Sequence, residues 1–307
     1  MGRYVIRRLL QMIPVFIGST FLIFVMVYAL GDPVAALFGE KAPDPATAAQ
    51  IRHDLYLDQP IWKQYLHYMG QIFQGDFGTA FNGQPVTDLM TEAFPVTLRL
   101  TLVAVVIEIV VGITLGVISG LRRGRSVDSS VLMITLIVIS VPTFVTGYVL
   151  QYLFGVEWGI VRPSVSSDAT FGELLLPGVV LALVSLAYVT RLSRTSIAEN
   201  VRADYVRTAV AKGLPRHRVI VRHLLRNSLI PVVTFIGTDI GVLMGGAIVT
   251  ERIFNIHGVG FQLYQGVLRN NSPTVVGFVT VLVIVFLLAN LLVDLCYAVL
   301  DPRIRYA

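Results

Sequence analysis

Apolar runs about twenty residues long recur along the chain, separated by shorter polar stretches, at roughly 9–30, 97–120, 129–154, 174–192, 228–250 and 274–299. A helix rises about 1.5 Å per residue, so each run matches a hydrocarbon layer about 30 Å thick, and the pattern predicts an all-α membrane protein with about six spans. The fourth run is the shortest, and the fifth is diluted by glycines and Asp239. An even number of spans places both chain ends on one side. The first run follows Arg3, Arg7 and Arg8, as a secretory signal would. It is too long and too bulky for a signal core, and no small-x-small cleavage site precedes Gly31-Asp32-Pro33, so it reads as an uncleaved first helix.

Composition supports lipid as the solvent. With 55% hydrophobic and 14% charged residues, the chain has too little polar surface to clothe a soluble fold. No internal repeat, low-complexity tract or linker divides it, which predicts a single transmembrane domain over residues 1–307. Cys296 is the only cysteine, which excludes an internal disulfide and any zinc or iron–sulfur site made of several cysteines of this chain.

The net charge of +5 gains meaning from its placement. Under the six-span reading, 17 of the 24 basic residues fall on the side that holds both termini: Arg3, Arg7, Arg8, Arg122, Arg123, Arg125, nine between Arg191 and Arg226, then Arg303 and Arg305. Basic residues near span ends resist translocation, so both termini are expected to be cytoplasmic. Residues 31–95 then form a long external loop with eight acidic and three basic residues. Its aromatic residues, Tyr56, Trp62, Tyr65, Tyr68, Phe73 and Phe77, suit short amphipathic helices at the outer interface; a solvated connector is the plainer alternative.

Inside the spans, Glu108, Asp239, Asn290 and Asp294 are the exceptions to an apolar pattern. A carboxylate facing lipid is costly, so these side chains should face the bundle interior, a partner or water. Glu108, Asp239 and Asn290 are candidates for a translocation pathway, with an interhelical hydrogen bond as the structural alternative for each; Asp294, near the cytoplasmic end, reads as structural. Gly112, Gly116 and Gly120, and again Gly237, Gly241 and Gly245, recur at four-residue spacing and predict close helix packing.

Catalytic machinery is not legible. The three lysines, Lys41, Lys63 and Lys212, are followed by Ala, Gln and Gly, so no Walker loop with its Lys-Ser/Thr pair exists. The five histidines are scattered, with no paired zinc-protease spacing and no nucleophile–base–orienter set, which predicts neither a catalytic nor a metal site.

The basic stretch at about 193–227 carries the most information. Helix-forming residues are broken by Gly213-Leu214-Pro215, which predicts two short helices and a turn, with Gly213 supplying a left-handed helix end. Tyr205, Ala209 and Lys212 sit at helical spacing and can share a face. Charge alone would suit an anionic membrane surface, at about 1 kcal/mol for each basic residue. Nucleic acid is a poor fit, because the aromatic interleaving of single-strand binders is missing.

The run Asp204-Tyr205-Val206-Arg207-Thr208-Ala209-Val210-Ala211-Lys212-Gly213-Leu214-Pro215, followed by Arg222-His223-Leu224-Leu225-Arg226-Asn227-Ser228-Leu229-Ile230-Pro231, resembles the cytoplasmic coupling loop of the B-type permease subunits of bacterial dipeptide/oligopeptide ABC importers. Further landmarks follow in family order: Gly31-Asp32-Pro33, Leu57-Asp58-Gln59-Pro60, Gly75-Asp76-Phe77-Gly78, Leu121-Arg122-Arg123-Gly124, Ser140-Val141-Pro142-Thr143-Phe144, Glu251-x-x-Phe254 with Gly258 and Gly260, and Leu300-Asp301-Pro302-Arg303. Ile256-His257 and Asn270-Asn271-Ser272-Pro273 depart from the family pattern at external positions that bear on substrate or binding-protein contact.

The resemblance implies a type I ABC importer permease fold in a bacterial inner membrane, with Asp204, Tyr205, Arg207, Ala209, Lys212, Gly213, Leu214, Arg218 and His223 in the loop that docks into an ATPase subunit. Ala209 and Gly213 would allow close approach, while Arg207 and Lys212 would meet acidic groups. It further implies a homologous second permease, two ABC ATPase subunits or a fused ATPase, and an extracytoplasmic substrate-binding protein, with ATP and Mg bound by the ATPases and no cofactor in this chain. Peptide is the leading substrate class; nickel chelates or glutathione are the alternatives within the family, and a secondary transporter or a membrane scaffold stands outside it.

Overall fold

The computed structural model describes residues 2–30, 34, 44–54 and 56–300. Gly31-Asp32-Pro33, Asp301-Pro302-Arg303 and Arg305 lie outside the described residues. Helices dominate: α1 (Gly2–Leu30), α2 (Pro45–Asp54), α3 (Ile61–Phe73), α4 (Val86–Leu121), α5 (Ser126–Ser140), α6 (Thr143–Glu157), α7 (Leu175–Asn200), α8 (Asp204–Ala211), α9 (216–228), α10 (Ile230–Phe254), α11 (Val259–Leu268) and α12 (Ser272–Leu300). Five of them, α1, α4, α7, α10 and α12, are long and apolar enough to cross a membrane.

The third predicted span, 129–154, is corrected by the structure. It is two helices, α5 and α6, bent by 101° at their junction. Pro142 explains the break: it has no N–H to donate, and it pushes the residue before it out of the helical region. Val141 accordingly takes φ −94° and ψ 127°. Counted as one broken span, the pair brings the total among the described residues to six.

Other boundaries shift for simple reasons. At 36 residues, α4 is about 54 Å long, so it begins at Val86, inside the stretch expected to be loop. The fourth span ends not at 192 but at Asn200, because α7 continues beyond the apolar run as a polar helix.

The rest of the loop at 31–95 holds α2 and α3. Helix α3 buries Tyr65, Tyr68 and Met69 against Phe24 of α1 and Val276 of α12, and leaves Trp62 and Phe73 exposed. A hydrogen bond of 2.9 Å joins the Tyr65 and Thr20 hydroxyls, fixing α3 on α1.

The two glycine stripes have different uses. A Cβ added at Gly116 or Gly120 would lie 2.7 or 2.8 Å from a backbone oxygen of α7, that of Thr190 or Arg194. Helices α4 and α7 therefore touch backbone to backbone, which only the smallest residue allows. Gly237 and Gly241 face Val293 and Phe286 of α12, while Gly245 has open space beside it.

Candidate functional site

Residues 201–228 project from one end of the bundle, hereafter the basic end, as the predicted pair of short helices. They carry a small core of their own: Val206 and Ala209 of α8 and Val219 and Leu224 of α9 close on Ile197 of α7, with Val117, Leu121, Leu214 and Leu225 packed around them. Burying each such aliphatic side chain contributes about 1.5–3 kcal/mol, which holds an otherwise polar segment in one shape. The turn between α8 and α9 requires Gly213, whose φ is +74°, a conformation that costs an L-residue about 1–2 kcal/mol. Its N–H donates to the Val210 carbonyl at 2.9 Å and closes the helix end. The Tyr205 hydroxyl donates to Asn200 Oδ1 at 2.8 Å, tying α8 to the end of α7.

The knob's outer surface presents Asp204, Tyr205, Arg207, Lys212 and Arg218, with Val210 and Val221 exposed among them. Arg207 and Asp204 lie 3.8 Å apart, a loose surface pair that leaves both groups free to engage a partner. His223 and Leu214 are half-buried. Ala209, expected to permit approach by an outside surface, turns inward and is only 4% exposed; its small size serves the contact between α8 and the knob's own core.

Beneath the knob lies a cluster that sequence reasoning missed. Asp128, in the first turn of α5, is 2% exposed. Its Oδ1 accepts hydrogen bonds from Ser119 Oγ of α4 at 2.5 Å and from Arg194 Nε of α7 at 2.9 Å. Its Oδ2 accepts from the Gly124 N–H at 2.9 Å and from Arg194 Nη2 at 2.7 Å. Every lone pair is used, and the Arg194 fork is bidentate, the geometry in which a sheltered ion pair is strongest. Arg194 was visible only as one of many basic residues, and nothing local marks a partner 66 positions away.

At the opposite end a second buried carboxylate works without a cation. Glu251 is fully buried in α10; it accepts from Thr97 Oγ1 at 2.6 Å and from the Phe261 N–H at 2.9 Å, while Thr97 Oγ1 accepts from the Val259 N–H at 2.8 Å. These groups satisfy the first N–H donors of α11, where a helix most needs acceptors. A Cβ on Gly258 would collide with the Glu251 carboxylate, and one on Gly260 with the Ile248 backbone. The Glu251, Phe254, Gly258 and Gly260 landmark is thereby explained by packing. Ile256, expected at an external contact, is buried in the same core; Asn255, in left-handed conformation (φ 53°, ψ 44°), turns the chain inward there.

The three pathway candidates do not converge. Glu108 (0% exposed) and Asp239 (7%) sit inside the packing of α4, α7 and α10. Neither Glu108 oxygen has a hydrogen-bond partner, and Asp239 Oδ2 has none either. Asn290 instead lines a cleft between α1 and α12 together with Gln11 and the Arg8–Asp294 ion pair. Among the described residues no group of three or more His, Cys, Asp or Glu could hold a metal ion.

Comparison with known proteins gives these features a context. The pattern described as "Binding-prot-dependent transport system membrane comp, N-term" matches residues 1–101, and that described as "Binding-protein-dependent transport system inner membrane component" matches residues 112–306. The dipeptide transport system permease protein DppB of Escherichia coli is 37% identical over 337 aligned positions, covering 100% of this chain and 99% of the relative. The glutathione transport system permease protein GsiC is 36% identical in Salmonella typhimurium and 37% in Pectobacterium atrosepticum, each over 308 positions and the full length of both chains. The apolar helices and these matches make the chain a multi-pass inner-membrane protein. It belongs to the family of binding-protein-dependent transport system inner-membrane components.

Proposed function

We propose that this chain is the membrane subunit of an ATP-driven ABC importer for peptides, dipeptides foremost, and that it forms half of the translocation route. The observation that carries the reading is the knob: a segment with its own small core, joined to α7 through Ile197 and presenting an exposed charged face at the basic end. Such a body is suited to receive a push from a separate subunit. In this reading the knob and both termini are cytoplasmic, and two ATPase subunits, or a fused one, dock on Asp204, Tyr205, Arg207, Lys212 and Arg218. They bind ATP and Mg, a homologous permease closes the route from the other side, and a binding protein delivers substrate from outside. Glu108 and Asp239 come to line the route when the helices around them separate.

The identity shared with GsiC supports glutathione, itself a short peptide, as a second substrate reading.

Purification in mild detergent at native expression, with mass spectrometry of what copurifies, tests the assembly. A homologous permease and P-loop ATPases in stoichiometric amounts are expected; emergence of the chain alone would count against it. ATP-dependent uptake of a dipeptide or of glutathione by the reconstituted complex with its binding protein then decides the substrate. Gly213→Trp tests docking. An added Cβ there meets nothing within 4 Å, so the knob should still fold, at the left-handed cost of about 1–2 kcal/mol. The variant should insert normally yet lose its ATPases on purification; normal copurification and uptake would remove the knob from the docking role.

A further inference from the structure

The linkage between the knob and the far end of the bundle can be followed residue by residue. Helix α5 is weakly held: its buried residues are Asp128 and Thr135, while Met133, Ile134, Leu136 and Ile137 are each more than half exposed. Its firmest tie is the four-bond Asp128 cluster, and the cation in that cluster, Arg194, lies one turn before Ile197, the residue around which the knob core closes. Gly120, beside Ser119 on α4, packs on the same Ile197. The knob, α4 and α7 thus behave as one body at this level, and Asp128 attaches α5 to it.

Past the 101° break, α6 is fastened at the opposite end of the molecule. Gly147 packs against Ile253 and Val180, and Gln151 Nε2 donates to the Ile253 carbonyl at 2.8 Å and to the Pro163 carbonyl at 2.6 Å. Ile253 lies two residues beyond Glu251, whose carboxylate caps α11. One end of the broken helix therefore grips the base of the knob, and the other grips the junction of α10 and α11.

We propose that Asp128 and Arg194 are the positioning pair that couples the knob to α5, so that the bent α5–α6 unit acts as a lever carrying knob movement to the α10–α11 junction. This rests on the importer reading for what drives the knob, but the mechanical claim belongs to the pair itself. A bidentate ion pair suits the task, because it fixes direction as well as distance.

The test uses the assembled complex in lipid nanodiscs, in a Cys296→Ser background, with spin labels at exposed positions 130, on α5, and 202. With Asp128 present, the interlabel distance should be narrow and the same with and without ATP. In Asp128→Asn it should broaden, and substrate imported per ATP hydrolysed should fall about tenfold, a typical coupling energy, while the ATPases still copurify. Arg194→Lys, which keeps the charge but gives up the fork, should fall between the two, and it decides the matter by itself if Asp128→Asn is lost from the membrane. A narrow distance and an unchanged import ratio in both variants would overturn the proposal. Should the parent complex show no ATPase partners or no ATP-driven uptake, the importer reading fails instead, and the label distances alone decide whether the pair pins α5 to the knob.

Discussion

Asp128 and Glu251 are both buried carboxylates that hold helix ends in place, yet they are built on different chemistry. Asp128, at the basic end, is held by a guanidinium, a hydroxyl and one backbone N–H. Glu251, at the opposite end, is held by a hydroxyl and backbone N–H groups, with no cation in its network. The first joins three separate helices through side chains, and its energy depends on both charges staying together. The second seats one short helix on its neighbours through main-chain donors that cannot be displaced separately. The ion pair holds separate helices to one another; the helix cap seats one short helix on its support.

Removing either support should expose this difference. Arg194→Met strands Asp128 without its cation, and breaking a buried pair from one side typically costs about 3–5 kcal/mol; thermal unfolding in detergent should show the largest loss of the series. Thr97→Val leaves the Val259 N–H and one Glu251 oxygen unpaired, for an expected loss of about 1–3 kcal/mol. Glu251→Gln keeps the size and an acceptor, and the same assay should register about 1 kcal/mol. If Glu251→Gln proves as damaging as Arg194→Met, the contrast between the two carboxylates collapses.

The smallest effect is expected at a third site, the exposed pair of His53 and Asp58, 3.0 Å apart. The Asp58 hydrogen bond raises the His53 pKa above its ordinary value, and the same bond lowers that of Asp58. For the histidine, the stabilising contribution is full below its unfolded value of about 6.5 and fades as the pH rises through the raised folded value. The aspartate's share is lost as the pH falls through its lowered value. Because the pair is solvated, His53→Ala should move the thermal midpoint by no more than about 1 °C at pH 5.5 and by less at pH 8.

Much of the architecture was legible because lipid makes a simple demand: backbone groups must be satisfied within a helix long enough to cross. The runs at 9–30, 97–120, 228–250 and 274–299 needed nothing more. Gly213 was legible for a similarly local reason, since a glycine before Leu-Pro after a helix-forming run has few other uses. The break at Val141-Pro142 stood in the sequence, but its consequence depended on whether neighbouring helices would absorb the kink. Ala209 was misread because the face of a short helix that turns inward is chosen by its packing partner, here Ile197, and not by spacing. Asp128 with Arg194 and Thr97 with Glu251 were invisible for the same reason on a larger scale: their meaning is a contact across 66 or 154 positions, and one sequence gives no sign of which pairs meet.

The wide turn at Glu108–Gly112 in α4 solves a counting problem. Val96, Leu100, Ala104, Glu108, Gly112, Gly116 and Gly120 fall at every fourth position, and all seven are buried. In a regular helix of 3.6 residues per turn, a four-residue step overshoots a full turn by about 40°, so six such steps would carry the buried line about 240° around the rod. A turn closed by bonds five residues apart accommodates one extra residue and returns about 100° of that drift. Deleting a single residue within 108–112 should therefore do more than shorten the helix. It would rotate the glycine half of α4 against the Leu100 half by about 100°, leaving one line of small residues facing lipid or the other facing away from α7.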